Sequence, residues 1–304
     1  MSLFTQMIQL QMQILLMLSI GFFLRKQKIV TPEIRKGLST LLINVVLPCT
    51  VIISFMNDSV VNSDLLMTCF IAVLISAIIQ TVSIIASKFL FQKYEKTDAN
   101  VLSYGMIVSN SAFIGIPIIQ SIYGSGAVMF TSVFQIPIIV TMWTIGLALF
   151  KPIDHRHALK SVIKNPSVVA VMIGFVIMLT GIKFPLFITK TVSSIASCTT
   201  AISMFVVGSI LAEIEWNNLF EKKVLFYCAI RLIIYPFLVF IALTFLNVPT
   251  LIKAIAVIMT GMPAGSTTAI LAEQYGCDAK FAAKLILVST VLSVITIPIL
   301  CLGL

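Results

Sequence analysis

The chain has 304 residues, of which 59% are hydrophobic and only 10% are charged, whereas a soluble domain carries about 25% charged residues. A globular core could not bury this much apolar side chain, so the composition excludes a soluble protein and indicates one embedded in a bilayer. The net charge of +9 does not indicate nucleic-acid binding, because the basic residues form short clusters between apolar runs, without interleaved aromatic residues.

The apolar residues fall into ten runs separated by charged or turn-rich breaks. A helix needs about 20 residues to cross about 30 Å of hydrocarbon, and most of the runs have roughly that length. The sequence therefore predicts an all-α polytopic membrane protein with two five-helix halves, residues 1–150 and 151–304. In chain order the predicted transmembrane helices are 4–24, 38–56, 65–90, 101–123, 127–150, 168–182, 186–212, 224–246, 251–275 and 281–302.

Basic residues concentrate in the loops that follow the odd-numbered predicted helices, and the opposite side holds only Lys183, Lys190 and Lys253. Because positively charged loops stay in the cytoplasm, we expect a multi-pass protein of the cell membrane with both termini outside the cytoplasm. The basic residues of the cytoplasmic side are Arg25, Lys26, Lys28, Arg35, Lys36, Lys88, Lys93, Lys96, Lys151, Arg156, Lys160, Lys164, Lys222, Lys223, Lys280 and Lys284.

The two halves share a pattern. Tyr123-Gly124 closes the fourth predicted helix, and Tyr275-Gly276 closes the ninth half a chain later. A proline also interrupts each of these two helices. Because a five-helix unit that is repeated once must be inserted upside down the second time, the pattern predicts an inverted repeat with two equivalent broken helices. The two prolines do not align when the Tyr-Gly pairs do.

The interrupted segment of the fourth helix holds the first set of candidate site residues. Proline lacks an N–H donor and clashes with the carbonyl one turn back, so the helix cannot run through Pro117 undisturbed. If a second half-helix starts at Pro117, its free N–H groups point into the break and suit a carboxylate. Asn110 adds an amide that both donates and accepts hydrogen bonds. We therefore predict a substrate site that includes Asn110, Ser111, Gly115, Ile116 and Pro117.

The ninth helix offers the second set. Small residues and hydroxyls surround its proline, so the backbone is open to close approach, and we include Met262, Pro263 and Ser266 in the predicted site. Gln135 in the fifth helix is either a substrate ligand or a packing residue. Each break alone could be a simple proline kink, but two breaks in matching positions of two halves indicate a site near the bilayer midplane.

Arg231 is the one charge well inside a predicted span. An intramembrane charge indicates function unless its side chain extends to the membrane surface. The sequence leaves two alternatives open for Arg231: a structural ion pair with Glu213 or Glu273, and a charge-balancing role.

The acidic residues support an anionic substrate. All eleven lie in loops or near helix ends, whereas a carrier that exchanges protons or sodium normally has a carboxylate beside its broken helices. The only histidines, His155 and His157, lie in a basic loop, and no nucleotide-binding motif is present, so we expect no enzyme, no metal and no cofactor. A neutral site lined with backbone dipoles favours a small organic anion.

These residues resemble the auxin efflux carrier family, which includes the plant PIN proteins and bacterial malate- or malonate-permease-like members. The resemblance covers nearly the whole chain, and the short loop at 151–165 is similar to that of the bacterial type. It is carried by Asn110-Ser111-Ala112-Phe113-Ile114-Gly115-Ile116-Pro117, Tyr123-Gly124, Asn165-Pro166, residues 201–211 with Gly208, Met262-Pro263, Leu271-Ala272 and Tyr275-Gly276-Cys277-Asp278.

The resemblance implies the fold of the bile-acid symporters and of NhaA, with a five-plus-five inverted repeat and crossing broken helices 4 and 9. It implies a scaffold of helices 1, 2, 6 and 7 that forms a homodimer, and a transport unit of helices 3–5 and 8–10 that moves like an elevator. Asn110 matches the family's crossover asparagine and Gln135 its substrate-site glutamine, and Pro117 and Pro263 resemble the crossover prolines.

Four functions remain open at this stage. The first is a secondary carrier for a mono- or dicarboxylate that needs no coupling ion, because a membrane potential that is negative inside favours anion export. The second is a sodium- or proton-coupled organic-acid symporter of the bile-acid type. A channel or sensor without a transport cycle is the third, and an intramembrane enzyme is the last.

Overall fold

The computed structural model describes residues 3–56, 63–151, 155–212, 221–246, 248–265 and 267–304. Within these ranges every regular element is a helix, and the one extended pairing is an isolated antiparallel bridge between Ser109 and Ala264. An all-helical chain is what a bilayer demands, because a helix satisfies its own backbone hydrogen bonds where no water is present.

The described residues form sixteen α-helices, several of which follow one another within one apolar run. They are α1 (Leu3–Lys26), α2 (Pro32–Leu41), α3 (Leu47–Met56), α4 (Ser63–Phe91), α5 (Lys96–Ile107), α6 (Ile116–Tyr123), α7 (Ser125–Thr141), α8 (His155–Ile163), α9 (Pro166–Thr180), α10 (Leu186–Ser197), α11 (Thr199–Leu211), α12 (Lys222–Ala229), α13 (Tyr235–Phe245), α14 (Thr250–Thr260), α15 (Thr267–Gln274) and α16 (Ala279–Leu302).

Six of the described helical segments are long and apolar enough to cross a membrane, and shorter apolar helices accompany them. Large apolar side chains such as Phe70, Phe89 and Phe237 are exposed on the surface of the protein, where hydrocarbon rather than water must cover them. The structure thus confirms the predicted multi-pass, all-helical membrane protein. The six segments are Pro32–Met56, Ser63–Phe91, Ser125–Gly146, Leu186–Leu211, Lys222–Phe245 and Ala279–Leu302.

Wide π-helical turns accommodate three of the prolines. The turns Leu42–Val46, Ser111–Gly115 and Ile230–Ile234 each end two residues before a proline, at Pro48, Pro117 and Pro236. A proline inside an α-helix clashes with the carbonyl four residues back and leaves it without a donor. A wider turn changes which carbonyl faces the ring, so the helix continues through the proline instead of ending there.

The chain divides into two compact units, and neither corresponds to one half of the sequence. The first unit comprises Met1–Cys69, Ala112–Val133 and Lys164–Glu213. In it, α1 packs so closely on α11 that a Cβ atom at Gly208 would overlap the carbonyl oxygen of Leu18. Between α3 and α11, the hydroxyl groups of Thr50 and Thr199 share a buried hydrogen bond of 2.5 Å. The hydrophobic core cluster of the first unit consists of Leu42, Val46, Leu47, Ile116 and Val128.

The second unit comprises Phe70–Ser111, Phe134–Ile163 and Ile214–Leu304. Its buried helix contacts include polar ones: the Ser76 hydroxyl donates to the Phe134 carbonyl at 2.6 Å, and the Tyr235 hydroxyl lies 2.7 Å from that of Ser83. Side-chain hydrogen bonds of this kind join helices where hydrocarbon offers no competing partner. This unit also holds the interruptions described next.

Candidate functional site

The first interruption follows α5. This helix ends at Ile107, Val108 adopts an extended conformation with φ −112° and ψ 107°, and a helix begins again at Ser111. The break therefore occupies only 108–110, directly before the glycine- and proline-containing segment that the sequence singled out.

The second interruption follows α14, which ends at Thr260, and α15 begins at Thr267. The described part of this break is 261–265, and Met262 and Ala264 are fully buried within it. Ser266, which the sequence included in the predicted site, lies outside the described residues. Unlike the first break, which lies before its proline, this one contains Pro263 together with small residues.

Backbone hydrogen bonds join the two interruptions directly. The N–H of Asn110 donates to the Pro263 carbonyl at 2.8 Å, and the N–H of Gly265 donates to the Val108 carbonyl at 3.1 Å. A Cβ atom at Gly265 would lie 3.2 Å from that same carbonyl, so a residue without a side chain allows the close approach. Two segments that lie 153 to 157 residues apart in sequence thereby provide hydrogen-bond partners for each other's non-helical backbone.

The helix that contains Arg231 supplies donors to the carbonyls left free at these ends. The Tyr227 hydroxyl donates to the Gly105 carbonyl at 2.8 Å, and Nη1 of Arg231 donates to the Met106 carbonyl at 2.9 Å. Nε of Arg231 also reaches the Met262 carbonyl in the second break, at 3.2 Å. Because the last carbonyls of a helix have no partner within it, these side chains act as caps at the breaks.

Arg231 is only 2% exposed, so its side chain does not reach the membrane surface. Glu213, one ion-pair partner considered above, lies outside the described residues, and so does the side chain of Glu273. Within what the structure describes, the partners of the guanidinium are the two backbone carbonyls and the ring of Tyr235, whose centroid is 5.9 Å away. These contacts favour the charge-balancing alternative.

Two residues that were not identified from the sequence also stabilise the breaks by hydrogen bonds to their backbone. The hydroxyl of Ser289 in α16 accepts the N–H of Ala264 at 3.2 Å, and Tyr227 caps α5 as described above. Tyr227 lies four residues before Arg231, on the same helix face. This spacing is the one sequence signal that could have identified it, because it places the phenol beside an intramembrane charge.

The structure places Asn110, Ser111, Gln135, Met262 and Pro263 in the second unit, and all five are buried. The Asn110 side-chain amide forms no hydrogen bond to the described residues. Nε2 of Gln135 is likewise buried without a hydrogen-bond partner in the described part of the chain. An unpaired buried donor costs about 1–3 kcal/mol, so both amides, which have no partner among the described residues, are available to a ligand.

Gly115, Ile116 and Pro117 belong to the first unit. The second half-helix begins at Ser111, in a π-helical turn, whereas the sequence suggested a start at Pro117. The condition of a start at Pro117 is not met, because the wide turn accommodates the proline inside the helix. The free N–H groups at the beginning of this half-helix are therefore those around Ser111, next to Asn110.

The electrostatics of the two breaks are asymmetric. Each C-terminal helix end carries a partial negative charge of roughly −0.5, and Arg231 donates to carbonyls at both of these ends. The N-terminal ends at Ser111 and Thr267 carry partial positive charges, and no described carboxylate hydrogen-bonds to them. The interruptions together therefore favour a negatively charged ligand.

The sequence profile of the membrane transport protein family matches residues 6–301, nearly the entire chain. The chain belongs to this family. It is the auxin efflux carrier family to which the sequence motifs point. This membership shows that the protein is a membrane transporter and supports a role other than catalysis.

Curated relatives agree with this assignment. An uncharacterized transporter of Methanocaldococcus jannaschii is 22% identical over 304 residues, which cover 94% of this chain and 95% of the relative. The uncharacterized transporter YfdV of Escherichia coli K12 is 21% identical over 301 residues, which cover 94% of each chain. This membrane transport protein therefore matches both relatives over nearly their full length.

Proposed function

We propose that this membrane transport protein is a secondary carrier that moves a small mono- or dicarboxylate across the cell membrane. The observation that carries the proposal is the hydrogen-bonded pair of interruptions, with the Asn110 side-chain amide at its edge and no partner for that amide among the described residues. Paired broken helices of this kind hold the substrate in many secondary carriers.

The substrate is an anion because the free groups are donors. Asn110 and Gln135 offer buried amide N–H groups, and the helix ends at Ser111 and Thr267 add partial positive charge. The backbone of the second break at Met262 and Pro263 completes the proposed site, to which the family resemblance adds Gly115, Ile116, Pro117 and Ser266.

The proposed membrane topology is ten spans in a five-plus-five inverted repeat. In support, each half-helix that follows a break closes with a glycine of positive φ, Gly124 at 80° and Gly276 at 72°. Helices also occupy all ten apolar runs of the sequence. By the positive-inside rule, the distribution of basic loops favours an orientation with both termini outside the cytoplasm.

We infer an elevator-type cycle in which the second unit carries the substrate. Both breaks, Gln135 and Arg231 belong to that one unit, so the hydrogen bonds that join the two breaks can be kept while this unit moves. Gly115, Ile116 and Pro117 belong to the first unit and would not move with it. The first unit would serve as the scaffold and, by family resemblance, as the homodimer contact.

The test is flux of radiolabelled malate or malonate into proteoliposomes under an imposed potential. Wild-type protein should show saturable flux in sodium-free buffer. Asn110→Ala should reduce flux at low substrate concentration by about 10- to 100-fold, since a hydrogen bond to a charged group contributes about 1.5–3 kcal/mol.

Asn44→Ala is the matched control, because the exposed Asn44 amide donates only to the Thr40 carbonyl of its own helix, at 2.8 Å. Its flux should equal that of the wild type. Equal flux for Asn110→Ala and wild type would refute the site. Flux that requires sodium would support the symporter instead, and non-saturating flux would support a channel.

A further inference from the structure

Arg231 is the only described basic residue that is fully buried. Its guanidinium lies between two helix ends that come from opposite halves of the sequence, and it donates to the Met106 carbonyl at 2.9 Å and to the Met262 carbonyl at 3.2 Å. It therefore contacts both interruptions at once, although it lies on neither of them.

The charges at this position balance without any ion from solution. Two helix C-termini contribute roughly −0.5 each, so their sum is about −1, which one guanidinium neutralises. Coupling cations in broken-helix carriers coordinate the same kind of group, unwound carbonyls and half-helix C-terminal ends. Arg231 occupies these acceptors permanently because it is part of the chain.

The local fold holds the guanidinium in place. Arg231 lies in the π-helical turn Ile230–Ile234, and Pro236 follows this turn. One turn earlier, Tyr227 is anchored to the Gly105 carbonyl, and the Tyr235 ring lies on the other side of Arg231. The side chain is therefore held from both directions along its helix.

The geometry points to Arg231 as a resident cation that takes the place of a coupling ion at the crossing of the two interruptions. Its consequence, carboxylate transport that needs neither sodium nor a proton, rests on the proposed function. The structural part of the inference is that the crossing needs one positive charge to be stable. This part does not rest on the proposed function, and it is tested without substrate.

The structural test is thermal unfolding of purified, substrate-free Arg231→Ala protein with and without millimolar guanidinium chloride, far below denaturing concentrations. Guanidinium should bind in the space left by the arginine side chain. At a tenfold excess over its dissociation constant it should raise the melting temperature of the variant by about 3 °C. Choline chloride at the same concentration should have no effect. Neither salt should stabilise the wild type or Lys253→Ala, a control that removes a cation which contacts the Phe240 ring and not the two carbonyls.

A second comparison decides the question if Arg231→Ala does not fold. Arg231→Lys keeps the charge with fewer donors, whereas Arg231→Gln keeps two N–H donors without the charge. The lysine variant should melt several degrees above the glutamine variant. Equal melting temperatures, or no response of any neutral variant to guanidinium, would overturn the assignment.

Transport separates this inference from the proposed function. Sodium-free flux in wild type with slow flux in Arg231→Gln, restored at least tenfold by guanidinium, would support both. If no carboxylate is transported but guanidinium still stabilises the neutral variants, the proposed function fails and the resident cation stands. Sodium-dependent flux in wild type would overturn the replacement of a coupling ion by Arg231 and would favour the symporter.

Discussion

Replacing Tyr227 by phenylalanine removes one hydroxyl group from the end of α5 and changes little else. That hydroxyl donates to the Gly105 carbonyl at 2.8 Å. Because α5 ends at Ile107, no N–H group of this helix reaches the Gly105 carbonyl. The side chain of Tyr227 is fully buried, so water does not replace the lost donor. An acceptor left unsatisfied in such a place costs about 1–3 kcal/mol.

Tyr235→Phe is the matched control, since it also removes a buried phenol hydroxyl. The Tyr235 hydroxyl donates to the Ile79 carbonyl at 2.6 Å, but this carbonyl lies in the middle of α4 and keeps its helical partner. The Ser83 hydroxyl, its other partner, also keeps a bond to Ile79 at 2.9 Å. Tyr235→Phe should therefore cost less, about 0.5–1 kcal/mol.

The assay is thermal unfolding of both variants and the wild type in one detergent at one scan rate. With about 2 °C per kcal/mol for a chain of this size, Tyr227→Phe should lower the melting temperature by about 4 °C and Tyr235→Phe by about 1–2 °C. Equal shifts for the two variants would refute the reasoning, because they would show that the break leaves no carbonyl dependent on Tyr227.

Glycines supply two further predictions, each measured by thermal unfolding. Gly208→Ala should destabilise the first unit by about 1–3 kcal/mol, because its Cβ meets a backbone carbonyl of α1 that cannot move aside. Gly37→Ala, in open space on α2, should instead stabilise by up to about 1 kcal/mol, and a loss there would contradict the packing argument. Gly124→Ala should lower the free energy of unfolding by about 1–3 kcal/mol, since the backbone angles of Gly124, φ 80° and ψ 179°, suit only glycine. An unchanged melting temperature would contradict this backbone conformation at Gly124.

Hydropathy and proline positions were sufficient to predict an all-helical membrane protein and to locate the segments that the structure interrupts. Both features act locally, because apolar length decides what spans a bilayer and proline decides where a helix is disturbed. The resemblance to a transporter family rested on residues in those segments together with Asn165-Pro166 and residues 201–211, and the family match confirms it.

The details that sequence did not predict depend on contacts between distant segments. Pro117 suggested a helix start, yet a π-helical turn lets the helix begin at Ser111. The partners of Arg231 are backbone carbonyls, which no side-chain pattern shows. The capping role of Tyr227 appears only when α12 and α5 are seen side by side. Such contacts form only when the chain folds, so they cannot be predicted from the order of residues in the sequence.

The most direct test of the central claim is a binding titration of purified protein with malate, malonate, lactate, citrate and indole acetate, followed by thermal unfolding. At least one carboxylate should stabilise the wild type and Asn44→Ala saturably, and Asn110→Ala should need about 10- to 100-fold more of it. Identical stabilisation of Asn110→Ala, or stabilisation by none of these anions, would contradict a carboxylate site at the paired interruptions.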